Sequence, residues 1–454
     1  MKRTAVLNVV RLTQPLLARM PNLSAFAASC DVAPIKPAFP AVTCTAQSTY
    51  LTGTSPSDHG IVGNGWYDRD LAEIHFWKQS NHLVRGRKLW EELREVMPGF
   101  TCAKLFWWYN MYSSADYSIT PRPMYPADGR KIFDVYTAPF SIRFEIKKEL
   151  GEFPFRSFWG PGAAIDSSRW IAESAKWIEH RHQPTLSLVY LPHLDYNLPR
   201  LGPAHPDIAA DLKLIDDVAG DLIAFLRERD IEVVVLSEYG ITDVDRPIHL
   251  NRIFREQNWI AIKDELGLEM LDCGASKVFA LADHQVAHIY LADAALTEPV
   301  RSLVAAQPGV AQVLDRAAQR ELGVDHARAG DLIAISDARS WFTYYYWMND
   351  EVAPDFARAV DIHRKAGYDP AELFIDPKIK LPAARVATFL LKKKIGLRGL
   401  LNVIPLDASL VKGSHGRLPE HAADWPVIVG QNLGVNSSVP ATSVYDILKE
   451  RCLR

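Results

Sequence analysis

The sequence predicts an α/β fold with one large core and a smaller α+β insertion, and three observations carry that prediction. Residues 4–10 are a continuous apolar run broken only by Asn8, as expected of a strand in a parallel sheet covered on both faces. Leu186–Leu191 (LSLVYL) and residues 233–237 (VVVLS) read as two further buried strands. Between them Ile208, Leu212, Ile215, Ala219, Leu222 and Leu226 recur at helical spacing. From about 250 to 340 the texture changes to short strands alternating with short helices.

Taken in order, the first strand should lead into a helix over about 14–29. The second and third strands, with the helix between them, form a strand–helix–strand unit whose crossover should be right-handed. Ligands of such sheets sit at the carboxyl ends of the strands. Those ends read His193-Leu194-Asp195-Tyr196-Asn197 and Ser237-Glu238-Tyr239-Gly240, so the polar residues collect where a site belongs. If the strand stays extended, His193 and Asp195 share a face and can converge. Residues 251–354 are read as a small α+β cap, with strands at 276–281, Val286–Leu291 and Leu332–Ser336 and a helix at 295–306. Residues 1–250 and 355–454 are read as the core.

Composition narrows the function. The 454 residues can bury a large core, and a formal net charge of −3 offers no basis for a nucleic-acid-binding surface. Five cysteines, an odd number without metal spacing, fit reduced thiols and a cytoplasmic location. The opening MKRTAVLNVV has an apolar run too short and too interrupted for a signal peptide or a span, so it is read as the first strand. Aromatic clusters at 106–109, 158–159 and 341–347 mostly fill the core. Trp107, Trp108 or Trp159 could also wall a ring-shaped ligand. The basic stretch 389–401 (FLLKKKIGLRGLL) reads first as a solvated helix end and second as a weak contact with an anionic membrane surface.

The most informative run is 39–64, FPAVTCTAQSTYLTGTSPSDHGIVGN. A hydroxyl at a helix N-terminus can attack phosphorus, and the free backbone N–H groups there suit a phosphate oxygen. Such residues also cap helices routinely, and on local pattern alone capping is the commoner role.

The order of segments decides between the two. FPxxTxxxxxxLTG and HGIxxN are followed by YLPHLDYNLPRLGP, VVLSEYGIT and a late GSHG. That order resembles the alkaline phosphatase superfamily, in particular its nucleotide pyrophosphatase/phosphodiesterase branch, which also includes phosphonoacetate hydrolase. The resemblance implies a large mixed sheet between helices. It also implies a Thr nucleophile flanked by one or two divalent ions, Zn or Mn, and a covalent phospho-enzyme. It places Thr43 as the nucleophile and Asn64 at the family's substrate-contacting asparagine.

The metal positions depart from the family. Asp195 and His415 match in kind, Glu238 replaces an Asp, and Tyr239 replaces a His. Pro199 stands where a His is expected, and the Asp at the end of the first strand is missing near Val10. Asp195, Glu238 and His415 could still form an open three-ligand site, with His193 or His363 as replacements. Arg11 could neutralise phosphate charge in place of a cation.

The first reading is therefore a metal-dependent hydrolase of a phosphodiester, pyrophosphate or related small-molecule phosphate ester or nucleotide. The second is a non-catalytic descendant that keeps the anion-binding loop. A third is an enzyme remodelled for an isoprenoid or other small-molecule phosphate.

Overall fold

A computed structural model describes residues 2–397, 399–435 and 437–454. Its centre is a nine-stranded mixed sheet. The order across it is Val439–Pro440, Asp31–Lys36, Val427–Gly430, Glu232–Leu236, Thr4–Val9, Leu186–Leu191, Cys102–Leu105, Tyr117–Pro121 and Val135–Ala138. From Glu232–Leu236 to Tyr117–Pro121 neighbouring strands run parallel, and antiparallel strands flank that block on both sides. Thr4–Val9 lies in the middle and is buried along its whole length, which is why its sequence is apolar rather than alternating.

The strand–helix–strand unit is present, with the helix at Ile208–Arg227. Its two strands flank the first strand instead of pairing with each other, so Leu7 lies in register with both Val189 and Val235. The helix expected over 14–29 is two short ones, Gln14–Leu17 and Pro21–Ala27. Pro21 suits a first helical turn but holds Met20 extended, so the chain must break there.

A second, four-stranded antiparallel sheet contains Val278–Asp283, Val286–Leu291, Leu332–Ser336 and Val310–Leu314. It buries its own apolar cluster, including Phe254, Ile289, Val300 and Phe342. The helix expected over 295–306 runs from Thr297 to Ala305. His284 and Gln285 form the tight turn between the first two strands, with His284 in the left-handed region at φ 64°. The Gln285 N–H donates to the His415 carbonyl at 2.8 Å, and the Ala41 N–H donates to the Gly416 carbonyl at 2.8 Å. The 413–416 segment thus wedges between the second sheet's turn and the 39–43 loop. Gly416 has φ 120°, and a Cβ there would lie 3.2 Å from the Gln285 nitrogen, so this close approach needs glycine.

One local expectation is corrected. The Leu186–Leu191 strand has ended before His193, which is already right-handed helical, and Leu194–Leu201 is a helix. Residues two apart on a helix diverge, so His193 and Asp195 do not converge. The Pro382–Lys394 helix has no buried residue and exposes Leu390 and Leu391 beside three lysines. Within the basic stretch 389–401, Arg398 lies outside the described residues. Among the described residues no helix is long and apolar enough to cross a membrane.

Candidate active site

Thr43 opens the Thr43–Thr52 helix, every residue of which is buried. The residue before it, Val42, is extended and makes no side-chain cap. The first-turn N–H of Cys44 donates instead to Asn64 Oδ1 at 3.1 Å. The Thr43 hydroxyl is therefore not a cap, and its oxygen lies 2.7 Å from the Tyr239 hydroxyl. Its neighbours are engaged elsewhere. Thr45 donates to the Ile61 carbonyl, and Thr49 donates to the Thr45 carbonyl. The Tyr50 hydroxyl also reaches a strand end but is spent on the Ser237 carbonyl at 2.8 Å, whereas the Thr43 hydroxyl meets the Tyr239 side chain.

One helical turn later, Gln47 donates through Nε2 to Glu238 Oε1 at 2.5 Å and accepts the Trp108 N–H at 2.7 Å. Asn8 Nδ2 donates to the same Glu238 oxygen at 2.6 Å. Glu238 Oε2 has no hydrogen-bond partner among the described residues. Glu238 is fully buried, and that burial pushes its carboxyl up to about 8, with the two amides only partly offsetting it. The residue that faces Glu238 from the first strand is Asn8. Val10, read from the sequence as the vacated acid position, packs in the apolar core.

Arg11 follows at the strand's end in the left-handed region, φ 64°, an uncommon setting for a side chain of its size. Its guanidinium is fully buried and pairs through Nε with the Asp195 carboxylate. Nη1 and Nη2 have no partner among the described residues. The guanidinium also lies over the Tyr239 ring, 5.4 Å from its centroid. Tyr239 begins a column of rings. It stacks on His415 at 3.8 Å, His415 meets His284 at 3.8 Å, and His284 stacks on Tyr368 at 3.6 Å. His415 Nδ1 donates to the Ala41 carbonyl at 2.7 Å, which leaves Nε2 as an unpartnered acceptor. Burial, and then the neighbouring His284, hold the His415 imidazole well below its ordinary range, so it is neutral.

The second sheet supplies a part of the site that the sequence reading did not assign. Asp283 accepts the Asn64 N–H at 2.8 Å and Asn64 Nδ2 at 3.0 Å, and it lies 2.8 Å from His284 Nδ1. Tyr368 is pinned to the same strand, its N–H donating to the Ala282 carbonyl at 2.8 Å. Asn64 is therefore a bracket between the Thr43 helix and the second sheet. The available sequence signal was an Asp-His pair at a two-residue turn between apolar strands.

Other expected site residues stand elsewhere. His193 Nε2 lies 3.0 Å from the Asp211 carboxylate. His363 turns Nδ1 to the Phe76 carbonyl at 3.2 Å. Trp107 is fully buried in the main core, whereas Trp108 is only partly buried and packs on Trp77 at 4.8 Å. Pro199 sits inside the Leu194–Leu201 helix.

A divalent ion of the kind the resemblance implies needs converging carboxylates and imidazoles. Among the described residues, no three His, Cys, Asp or Glu side chains form a group that could hold one. The partners explain this. Asp195 is engaged by Arg11, Glu238 holds two amides and tends toward its neutral form, and His193 and His363 face other groups. The expected set of Asp195, Glu238, His415, His193 and His363 does not fit a metal pair.

Comparison with known proteins identifies the family and the fold. Residues 4–369 match the family model described as type I phosphodiesterase / nucleotide pyrophosphatase. A Schizosaccharomyces pombe protein described as an uncharacterized pyrophosphatase/phosphodiesterase is 24% identical over 230 residues, 48% of this chain and 40% of its own length. Rattus norvegicus ectonucleotide pyrophosphatase/phosphodiesterase family member 3 is 21% identical over 235 residues, 49% of this chain and 22% of its own length. The chain thus spans well under two thirds of these relatives. Among solved structures, an inactive variant of murine ectonucleotide pyrophosphatase/phosphodiesterase 5 in complex with AMP superposes with a TM-score of 0.60 at 14% identity. It covers 100% of this chain and 95% of its own. Phosphonoacetate hydrolase from Sinorhizobium meliloti, in complex with phosphonoformate, gives 0.61 at 12% identity, covering 99% and 96%. These likenesses show the fold: a large mixed sheet flanked by helices, as in the alkaline phosphatase superfamily.

Proposed function

The chain belongs to the type I phosphodiesterase / nucleotide pyrophosphatase family of hydrolases, and we propose that it cleaves a small-molecule phosphorus ester with Thr43 as nucleophile. One observation carries the proposal. The Thr43 hydroxyl is turned from its own helix toward the strand-end side chains Tyr239 and Glu238, whereas the Tyr50 hydroxyl, also at a strand end, is spent on the Ser237 carbonyl. AMP and phosphonoformate, the ligands of the two structural neighbours, suggest a phosphate or phosphonate of similar size.

In the first half-reaction the Thr43 oxygen bonds to phosphorus, its proton passes to the Glu238 carboxylate, and the bond from phosphorus to the leaving oxygen breaks. That oxygen departs with a proton from solvent. In the second, water attacks phosphorus, the bond to Thr43 Oγ1 breaks, and the protonated Glu238 returns its proton to that oxygen. His415 Nε2, a neutral acceptor, takes the water's proton and releases it to solvent. Glu238, held at about 8, is basic enough for the first transfer once ionised.

The test is hydrolysis of a chromogenic phosphodiester by wild type and Thr43→Ala. The expected loss is about a hundredfold or more, the scale of removing a nucleophile. Equal rates would remove Thr43 from the mechanism. A second reading, an anion-binding descendant without turnover, is favoured by Tyr239 and Pro199 at positions where the family has histidines. Tight ligand binding by a wild type that turns over no phosphorus ester would select it.

A further inference from the structure

We infer that the Arg11 guanidinium, rather than a metal ion, is the cation that binds the tetrahedral oxyanion at Thr43. The inference rests on reading the Thr43 site as a phosphorus-ester site, and it names how that site recognises charge.

Four observations carry it. Arg11 has no solvent exposure, so bulk solvent does not reach its N–H groups. Asp195 takes Nε, and the fork of Nη1 and Nη2 is left open, the geometry that matches two oxygens of one phosphate or phosphonate. The carboxylates around it are occupied. Asp195 pairs with Nε, Asp283 is taken up by Asn64 and His284, and Glu238 is held toward its neutral form. Further unpartnered polar atoms complete the set: the Tyr368 hydroxyl, a donor, and His415 Nε2, an acceptor for a protonated oxygen or the attacking water. The Tyr239–His415–His284–Tyr368 column ties these atoms together, and Arg11 lies on its Tyr239 end.

The metal alternative is disfavoured by the same residues. A cation near Asp195 would have to displace a buried guanidinium from its own carboxylate. At two family ligand positions stand a phenol and a proline.

The experiment is titration calorimetry on the full chain, stripped with EDTA and dialysed, with inorganic phosphate and with AMP as probes. Each is repeated with added Zn²⁺ and with added Mn²⁺. The expected result is binding in EDTA that changes less than about twofold on adding either metal. Arg11→Lys, which keeps the charge but not the fork, should weaken binding about tenfold or more at an unchanged melting temperature. Binding that appears only with metal would overturn the inference without using any variant, and so would wild-type affinity in Arg11→Lys. Thr43→Ala separates this inference from the hydrolase reading. It should lose turnover and keep binding, so metal-free binding by a protein that never hydrolyses a phosphorus ester would sink the nucleophile alone. Failure of both probes to bind under every condition would sink both.

Discussion

The Thr43 side of the site and the Arg11 side satisfy their polar groups to different degrees. On the first, Cys44, Asn64 and Asp283 form one hydrogen-bonded set and Gln47, Asn8 and Glu238 another, so that most donors are paired and only the acceptors Asn8 Oδ1 and Glu238 Oε2 are left over. On the second, Arg11, His415 and Tyr368 each leave a buried polar atom open. A closed net fixes position in the resting protein, whereas open buried donors cost stability until something fills them. The Thr43 helix is therefore held by the protein itself, while on the proposed reading the Arg11 half would be completed by its ligand. The two halves should therefore respond differently to substitution.

Breaking the closed side should have the largest effect on folding. Asp283→Ala removes the acceptor of both the Asn64 N–H and Asn64 Nδ2 and leaves them buried. We predict a loss of about 3 kcal/mol in unfolding free energy, since each orphaned donor costs about 1–3 kcal/mol. Urea denaturation would read it. A loss well under about 1 kcal/mol would show that the net is looser than its geometry implies.

Glu238 sits where the two sides meet, and its substitution sharpens the comparison through pH. Its folded carboxyl is held at about 8, against an ordinary value of 4.5. Between those values the folded protein keeps a proton that the unfolded chain has released, so stability falls as pH rises through that window and levels off above about 8. The slope from this one group is at most about 1.4 kcal/mol per pH unit. Glu238→Gln should match wild type near pH 5, exceed it near pH 8 and flatten the slope between. Parallel profiles for the two proteins would mean that Glu238 is not held neutral by burial. The same carboxyl acts as a base only when ionised, so wild-type kcat/KM should rise with pH, be half-maximal near 8 and level off above it.

How far each side was legible in the sequence follows from the same contrast. The Thr43 side lies in one contiguous run, 39–64, plus the strand end at 237–240, and local segments keep their order when read alone. The first strand hid its register: an uninterrupted buried run has no alternation to mark which residue faces the site, and the one that meets Glu238 is Asn8. The 193–197 segment was read as extended because nothing in it announces that a helix starts at Leu194. Asp283, His284 and Tyr368 reach the site through a turn of the second sheet and a bridge to Ala282. Such non-local placement leaves no spacing to read. The ring column is a matter of packing, and composition showed only that rings were plentiful.

The smallest effect is expected at the one hydroxyl shared by both sides. Tyr239 donates to or accepts from Thr43, while its ring carries His415 on one face and the Arg11 guanidinium nearby. Tyr239→Phe keeps the ring, and so keeps the column and the seat of Arg11, but removes the hydrogen bond to Thr43. Stability should fall by about 1 kcal/mol, the worth of one buried hydrogen bond. If that hydroxyl positions Thr43 for attack, kcat should drop about tenfold with KM and phosphate affinity unchanged, because binding belongs to Arg11 and attack to Thr43. A rise in KM of the same size, with kcat intact, would instead place Tyr239 on the ligand-binding side and erase the division between the two halves.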